Sequence, residues 1–168
     1  MDFCWSVWLI PHNKIIGHYR KLVNHFCEKY NSPMFEPHVT LFGSIDIDPQ
    51  STFTFFRKII SQYSYINLSP RKIETGESPW KSLTIKLKME PSLQKFQKMI
   101  NHEFQAYKKY IFDPHLSLAY GDIKINENDL NSFSLDETIC FSSVALVSTP
   151  NQIDDWRIIK KFKLNGIN

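Results

Sequence analysis

A seven-residue segment occurs twice in this chain, and that repetition constrains the fold more than any other feature. The first copy reads Phe35-Glu36-Pro37-His38-Val39-Thr40-Leu41 and the second Phe112-Asp113-Pro114-His115-Leu116-Ser117-Leu118, identical or chemically equivalent at every position. Apolar and polar residues alternate after each proline, so each copy reads as a strand with one buried face. Successive side chains of a strand point to opposite faces. His38 and Thr40 therefore project together while Val39 and Leu41 turn toward a core, and His115 and Ser117 stand against Leu116 and Leu118 in the same way. The prolines hold Glu36 and Asp113 in extended conformations, which favours a straight entry into each strand.

The surroundings of the two copies repeat as well. Phe3 to Ile10 reads as a buried strand stopped by Pro11, and Asn13 as the N-cap of a helix whose apolar positions Ile15, Ile16, Tyr19, Leu22, Val23 and Phe26 recur at helical spacing. Pro37 to Phe42 is a strand, Pro49 to Gln62 a helix, and Ile66 to Glu74 extended. After the turn-rich Gly76-Glu77-Ser78-Pro79 the plan begins again. Leu83, Ile85 and Leu87 alternate with polar residues, Pro91 lies near the start of a helix striped by Leu93, Phe96, Ile100, Phe104 and Tyr107, and Pro114 to Tyr120 is a strand. A short helix over Glu127 to Phe133, a strand from Thr138 to Ser148 and a last strand from Trp156 to Leu164 follow. Each half, about 1–76 and 77–168, thus reads strand, helix, strand, helix, strand. The 168 residues suit a single domain of two fused lobes sharing a core. Alternation of this kind also fits a parallel βαβ sheet, which stays open at this point.

One imidazole and one hydroxyl from each half, facing each other about a pseudo-twofold axis, suit the hydrolysis of a cyclic phosphate ester. Water must attack phosphorus roughly in line with the departing ribose oxygen. A neutral histidine accepts the proton of the water, and a protonated one gives a proton to the leaving oxygen. Histidine, with an unperturbed pKa of about 6.5, serves in both roles near neutrality. The hydroxyls of Thr40 and Ser117 would donate to the non-bridging oxygens, where charge accumulates in the transition state. A lone histidine on a strand is usually structural or simply exposed. Core packing explains a hydrophobic pattern but no repeated His-x-Thr/Ser. A metal site is the sharper rival, because Glu36 and Asp113 share the histidines' face when the strands are in register. Neither HxxxH, HxH nor a carboxylate-rich cluster occurs, so no metal and no cofactor is assigned.

Composition narrows the classes further. A hydrophobic share of 42% and an aromatic share of 14% are enough to fill a core, and the apolar runs fall short of a membrane span. The N-terminus lacks a basic region followed by an apolar run and a small-residue cleavage site, so a cytoplasmic location without a membrane partner is expected; a monomer is expected as well. Cys4, Cys27 and Cys140 lie far apart with no CxxC, which predicts reduced and mostly buried thiols. A net charge of +3 argues against a life on long nucleic acid, where many phosphate contacts are needed. The basic run Arg157, Lys160, Lys161 and Lys163 could attract a phosphate-bearing ligand, but a solvated strand face is the preferred reading.

The paired His-x-Thr/Ser motifs resemble those of the two-histidine (2H) phosphoesterase superfamily, and within it the cyclic phosphodiesterases associated with by-products of tRNA splicing. Ser6-Val7-Trp8, Phe35 to Leu41 and Pro114 to Tyr120 carry the closer resemblance, and Ala145 to Trp156 a looser one. The resemblance implies an α+β fold of two pseudo-symmetric lobes, with antiparallel sheets facing a central cleft and helices outside. It implies metal-independent opening of ADP-ribose 1″,2″-cyclic phosphate and of nucleoside 2′,3′-cyclic phosphates. His38 and His115 then carry over as the acid/base pair, and Thr40 and Ser117 as phosphate-binding hydroxyls. Trp8 and Tyr120 match aromatic positions of the family, with stacking on a base or closing over the ribose phosphate as their implied work. For Trp8 core packing is an equal alternative. Tyr120 reaches the site only if its strand bends or ends near Gly121. Trp156 reads as a packing residue, and His12, His18, His25 and His102 as surface histidines. Two other functions are open: a 2H phosphodiesterase degrading 2′,5′-linked or cyclic oligonucleotide messengers, and a non-catalytic module binding nucleotides or RNA ends.

Overall fold

Among the described residues the named strands pair only antiparallel, which removes the parallel arrangement that the alternation of elements left open. A computed structural model describes residues 4–165. Along the chain run β1 (Trp5–Pro11), α1 (Asn13–Tyr30), β2 (Val39–Ile45), α2 (Phe53–Ile60), β3 (Ile66–Leu68), β4 (Pro70–Glu74), β5 (Leu83–Leu87), α3 (Pro91–Phe104), β6 (His115–Ala119), β7 (Ile139–Ser148) and β8 (Arg157–Lys163). Short 3₁₀ segments occupy Pro49–Thr52, Glu127–Asn131 and Ile153–Asp155.

The strands form two sheets. In the larger, β7 pairs with β1 along one edge and with β3 and β8 in succession along the other, and β2 lies outside β1. The smaller has the order β4-β5-β6. One apolar core joins them. Val7 and Leu9 of β1, Val39 and Leu41 of β2, Leu116 and Leu118 of β6, and Phe26 of α1 all belong to it. Phe104, at the end of α3, packs edge-on to Trp5 and close to Phe42 and Phe56. Deleting a ring from such a site costs roughly 3–5 kcal/mol. Trp8 and Ile10 alternate with the core residues of β1 and so face the other way. With Ile16, Ala145 and Val147 they make a smaller apolar cluster, against which Trp156 packs.

Several boundaries differ from the sequence expectation, each for a local reason. Phe3 lies outside the described residues; β1 does not stop at Pro11 but includes it, since a proline without an N–H is tolerated at a strand end. The N-cap of α1 is His12 rather than Asn13, its Nδ1 accepting from the Lys14 amide at 3.1 Å. The expected helix from Pro49 begins as a 3₁₀ turn and becomes α-helical only at Phe53. The expected helix over Glu127–Phe133 is a 3₁₀ segment. Ile66 to Glu74 is two strands in two sheets, the chain passing from one to the other at Ser69-Pro70, where proline offers no ladder donor. Tyr107 is not on the buried stripe of α3. The helix ends at Phe104, the chain turns to bring Tyr110 against Phe42 with ring centroids 4.8 Å apart, and Tyr107 is left exposed.

Candidate active site

The repeated segments enter their sheets in matching fashion. His115 opens β6, and His38 lies just before β2, which begins at Val39 because Pro37 brings no donor to the ladder. In each copy the imidazole folds back on its own approach segment. His38 Nδ1 lies 2.6 Å from the carbonyl oxygen of Glu36, and His115 Nδ1 lies 2.7 Å from that of Asp113. A carbonyl has no proton to give, so Nδ1–H is the donor in both. Both neutral rings therefore hold their Nε2 lone pairs away from the backbone. Both rings line one cavity of about 420 Å³, together with Trp8, Thr40, Tyr120, Lys81, Trp80 and Trp156.

The two imidazoles differ in their neighbours. His38 is 2% exposed and lies flat on the indole of Trp8, with ring centroids 3.5 Å apart and planes 8° apart. Trp8 pairs with Thr40 across β1 and β2, which places it beside the histidine. His115 has cations instead. Lys86 is its partner across β5 and β6, and both Lys86 and Lys81 bind the carboxylate of Asp113, Lys81 at 2.7 Å. One carboxylate offsets one lysine, so a net positive charge stays beside His115. The corresponding carboxylate of the first copy, Glu36, is matched one-to-one by Arg20 in a bidentate pair at 2.9–3.0 Å. With both carboxylates held by basic side chains, neither joins a histidine in a ligand set, and no group of three or more His, Cys, Asp or Glu fit to hold a metal occurs among the described residues.

Burial pushes the pKa of His38 down to about 3, opposed by the bond to Glu36 and assisted by His115. His115 is lowered to about 4, first by burial and then by Lys81 and Lys86, with Glu74 opposing. Both are neutral at pH 7. The Tyr120 phenol is 3.4 Å from His38 Nε2, a long hydrogen bond in which the phenol donates. Burial raises the pKa of that phenol, the Ser117 hydroxyl opposing, and the group stays protonated.

The residues singled out from sequence converge unevenly. His38, Thr40, His115, Trp8 and Tyr120 share the cavity, whereas Ser117 is buried behind its wall, next to the Tyr120 phenol. Tyr120 satisfies the condition set for it: β6 ends at Ala119, and Gly121 turns the chain at a φ of 116°, a conformation that strongly favours glycine. Trp8 is buried in the smaller apolar cluster and also lies flat on His38 at the cavity. Trp156 is more than a packing residue. Its indole Nε1 donates to the Pro150 carbonyl at 2.9 Å, and its ring borders the cavity edge-on to Trp8. Cys4 contradicts the expectation of mostly buried thiols, being exposed at the same cavity, while Cys27 is buried and Cys140 partly so. His18, His25 and His102 are exposed as expected; His12 is half-buried at its cap.

Lys81 and Trp80 escaped the sequence reading. They sit in the turn between the halves, read there only as a chain reversal. Hydrogen bonds hold that turn in place: the Gly76 amide donates to the Lys81 carbonyl at 2.8 Å, and the Gly121 amide to the Pro79 carbonyl at 2.8 Å. A side chain at position 76 would come within 3.0 Å of the Lys81 Cβ, so glycine permits the close approach. The usable signal was an aromatic–cation pair, Trp80-Lys81, inside a Gly/Pro turn.

Two antiparallel sheets that bring paired His-x-Thr/Ser segments to one cavity define a two-histidine phosphoesterase. Residues 1–164 match the family described as cyclic phosphodiesterase-like protein, and the chain belongs to that family of phosphodiester hydrolases. It is 20% identical over 172 residues to the cyclic phosphodiesterase of Arabidopsis thaliana, covering 96% of this chain and 95% of that one. Its fold is similar to that of E. coli LigT solved with 3′-AMP, at a TM-score of 0.61 and 11% identity, with 98% and 99% of the two chains covered. It is also similar to TT0787 of Thermus thermophilus, at a TM-score of 0.65 and 10% identity, with 98% and 100% covered. No helix among the described residues is long and apolar enough to cross a membrane.

Proposed function

We propose that the protein opens ribose cyclic phosphates, ADP-ribose 1″,2″-cyclic phosphate and nucleoside 2′,3′-cyclic phosphates, by acid/base catalysis between His38 and His115. The observation that carries this is the shared Nδ1-to-carbonyl bond, which turns both Nε2 atoms from the backbone in one cavity. The relatives support the ligand class: the Arabidopsis protein is a cyclic phosphodiesterase, and LigT has been solved with 3′-AMP and with ATP.

The surroundings divide the roles. Lys81 and Lys86 favour the neutral form of His115, which suits the base. The indole face under His38 favours a cation, which suits the acid. Burial holds His38 lower in the free protein, but an anionic phosphate diester beside it stabilises the imidazolium. In the step itself His115 Nε2 takes a proton from water as its oxygen bonds to phosphorus. The ribose–oxygen bond to phosphorus breaks on the opposite side, and His38 Nε2–H protonates the leaving oxygen. His115 ends protonated and His38 neutral, and solvent exchange restores both. Thr40 donates to a non-bridging oxygen, and Ser117 acts from behind through the Tyr120 phenol. Trp80 and Trp156, whose rings are 6.4 Å apart and 23° from parallel, offer apolar faces for the base. The mechanism uses no metal or other cofactor, and the protein works as a cytoplasmic monomer.

The test is turnover, in EDTA, of ADP-ribose 1″,2″-cyclic phosphate, 2′,3′-cyclic AMP and 2′,5′-linked diadenylate, followed by chromatography. Monoester from either cyclic ester supports the proposal. Cleavage of the diadenylate alone would move the same chemistry to oligonucleotide degradation, and binding without turnover would make the protein a nucleotide-binding module.

Lys81 carries a separate expectation. Its charge is left over after Lys86 and Asp113 offset each other, so it is available to a phosphate oxygen. A hydrogen bond to a charged group is worth about 1.5–3 kcal/mol. Lys81→Met is expected to lower kcat/KM by about 10- to 100-fold, and Lys81→Arg to restore part of the loss. Unchanged kinetics in Lys81→Met would remove the lysine from the mechanism.

A further inference from the structure

The second repeat does not deliver to the cleft the hydroxyl that its sequence carries. Thr40 of the first repeat lines the cavity, but Ser117 is 2% exposed and lies off it, its hydroxyl on the Tyr120 phenol. A phosphate diester has two non-bridging oxygens, so a hydroxyl from one half alone leaves the other oxygen to another donor. The segment leading into the second repeat brings such a group to the same place. Tyr110 lies five residues before His115 and lines the cavity together with both histidines and Thr40. The matching position of the first repeat is Pro33, so only the second half has this phenol.

The ring of Tyr110 is held and its hydroxyl is not. The ring packs on buried Phe42, with centroids 4.8 Å apart and planes 33° apart. A Cβ built at Gly43 would lie 3.6 Å from Tyr110 Cε2 and 3.7 Å from both Thr40 Cγ2 and Ser6 Oγ. Tyr110, Thr40 and Ser6 thus wall one hollow of the cleft, kept open by glycine. Ser6 is already bonded there to the Thr149 hydroxyl at 2.9 Å. The Tyr110 hydroxyl has no such partner among the described residues. Nor is it sealed in, since among those residues only the Ser32 hydroxyl is enclosed without a partner. A phenol inside a protein usually finds a hydrogen-bond partner, whereas this one opens on the cavity. Burial raises its pKa to about 12, so it stays a proton donor at neutral pH. It also adds to the larger effect of burial in raising the pKa of the Tyr120 phenol, which itself lies 3.4 Å from His38 Nε2. Tyr110 therefore belongs to the neighbourhood of the reacting groups.

We propose that Tyr110 is a substrate-binding residue whose phenol donates to the second non-bridging oxygen of the cyclic phosphate, in the place that the sequence gives to Ser117. The proposal rests on the function given above. Thr40 holds one non-bridging oxygen from the first half and Tyr110 the other from the second, while Lys81 supplies charge. No proton leaves Tyr110 in the step. Negative charge grows on the oxygen as water bonds to phosphorus, and the hydrogen bond strengthens with it. A donor aimed at that oxygen acts on every cyclic ester alike, whatever base it carries.

The test is Tyr110→Phe, which keeps the ring on Phe42 and removes a hydroxyl that holds nothing in the fold. Its melting temperature should equal that of wild type. Its kcat/KM should fall about 10- to 100-fold on 2′,3′-cyclic AMP and on 2′,3′-cyclic CMP alike, the range for a hydrogen bond to a charged group. The two diastereomers of 2′,3′-cyclic AMP phosphorothioate identify the contact, since sulfur is a weak acceptor. The isomer with sulfur facing Tyr110 has already lost the bond, so the variant should slow it by less than about threefold and the other by the full factor. Wild-type kinetics in Tyr110→Phe, or an equal loss on both isomers, would overturn the proposal. If wild type turns over no cyclic ester, the function is wrong, and calorimetry with 3′-AMP and with adenosine decides on Tyr110. The variant must then bind 3′-AMP about tenfold more weakly and adenosine as before. Failure of wild type to bind 3′-AMP, equal affinity for it in the two proteins, or equal weakening of both ligands would overturn the proposal.

Discussion

Alanine at His38 or at His115 is expected to lower kcat on a ribose cyclic phosphate by about 10²- to 10⁴-fold, the usual contribution of a positioned acid or base. The two replacements together should cost little more than either alone, because an acid and a base that act in one step do not contribute additively. His38 is buried against Trp8, so its alanine variant also opens a void. His38→Asn separates the two effects. Its amide retains a donor for the Glu36 carbonyl and fills much of the site, but has no proton to exchange near neutrality. Loss of turnover in His38→Asn with an unchanged melting temperature assigns the loss to chemistry. Activity within tenfold of wild type in either single variant would contradict the acid/base pair.

The second large effect is on pH. With both histidines neutral above about pH 4, the free protein holds one proton fewer than the mechanism requires. The missing proton enters with the anionic substrate. Above that range kcat/KM, which reports on the free enzyme, is expected to fall about tenfold per pH unit, reaching roughly 10³-fold between pH 5 and 8. The kcat profile, which reports on the complex, should hold to higher pH because the bound phosphate diester stabilises the imidazolium. Lys81→Met removes one of the charges that lower His115 and should move its limb upward. A kcat/KM independent of pH from 5 to 8 would contradict this account. Stability carries the opposite sign. Histidines whose folded pKa lies below the unfolded value of about 6.5 contribute stability that is fully present above pH 6.5 and is lost as pH falls toward 4 and then 3. Acid thus favours turnover and opposes the fold.

Much of the site was legible because the duplication displays it. His38, Thr40 and His115 stand where alternation and the matched segments put them, and the antiparallel architecture followed from the resemblance those segments carry. What stayed hidden depends on contacts between elements distant in sequence. No local pattern says that Trp8 lies flat on His38, because that stack needs the pairing of β1 with β2. The asymmetry between Glu36, matched by one arginine, and Asp113, shared by two lysines, needs the pairing of β5 with β6 and the placement of the 76–82 turn. Ser117 shares a face with His115 but is buried off the cavity lining with its hydroxyl on the Tyr120 phenol, whose position depends on where β6 ends. The division of 66–74 between two sheets was missed because both pieces are extended and apolar at alternate positions.

Phosphorus NMR of the protein in EDTA with 2′,3′-cyclic AMP and with ADP-ribose 1″,2″-cyclic phosphate, in wild type and His115→Asn, reads the ring opening itself. The cyclic signal of at least one ester is expected to disappear as a single phosphate monoester grows in, and this conversion to be lost in His115→Asn. Persistence of both cyclic signals in wild type, or the same conversion rate in His115→Asn, would contradict it.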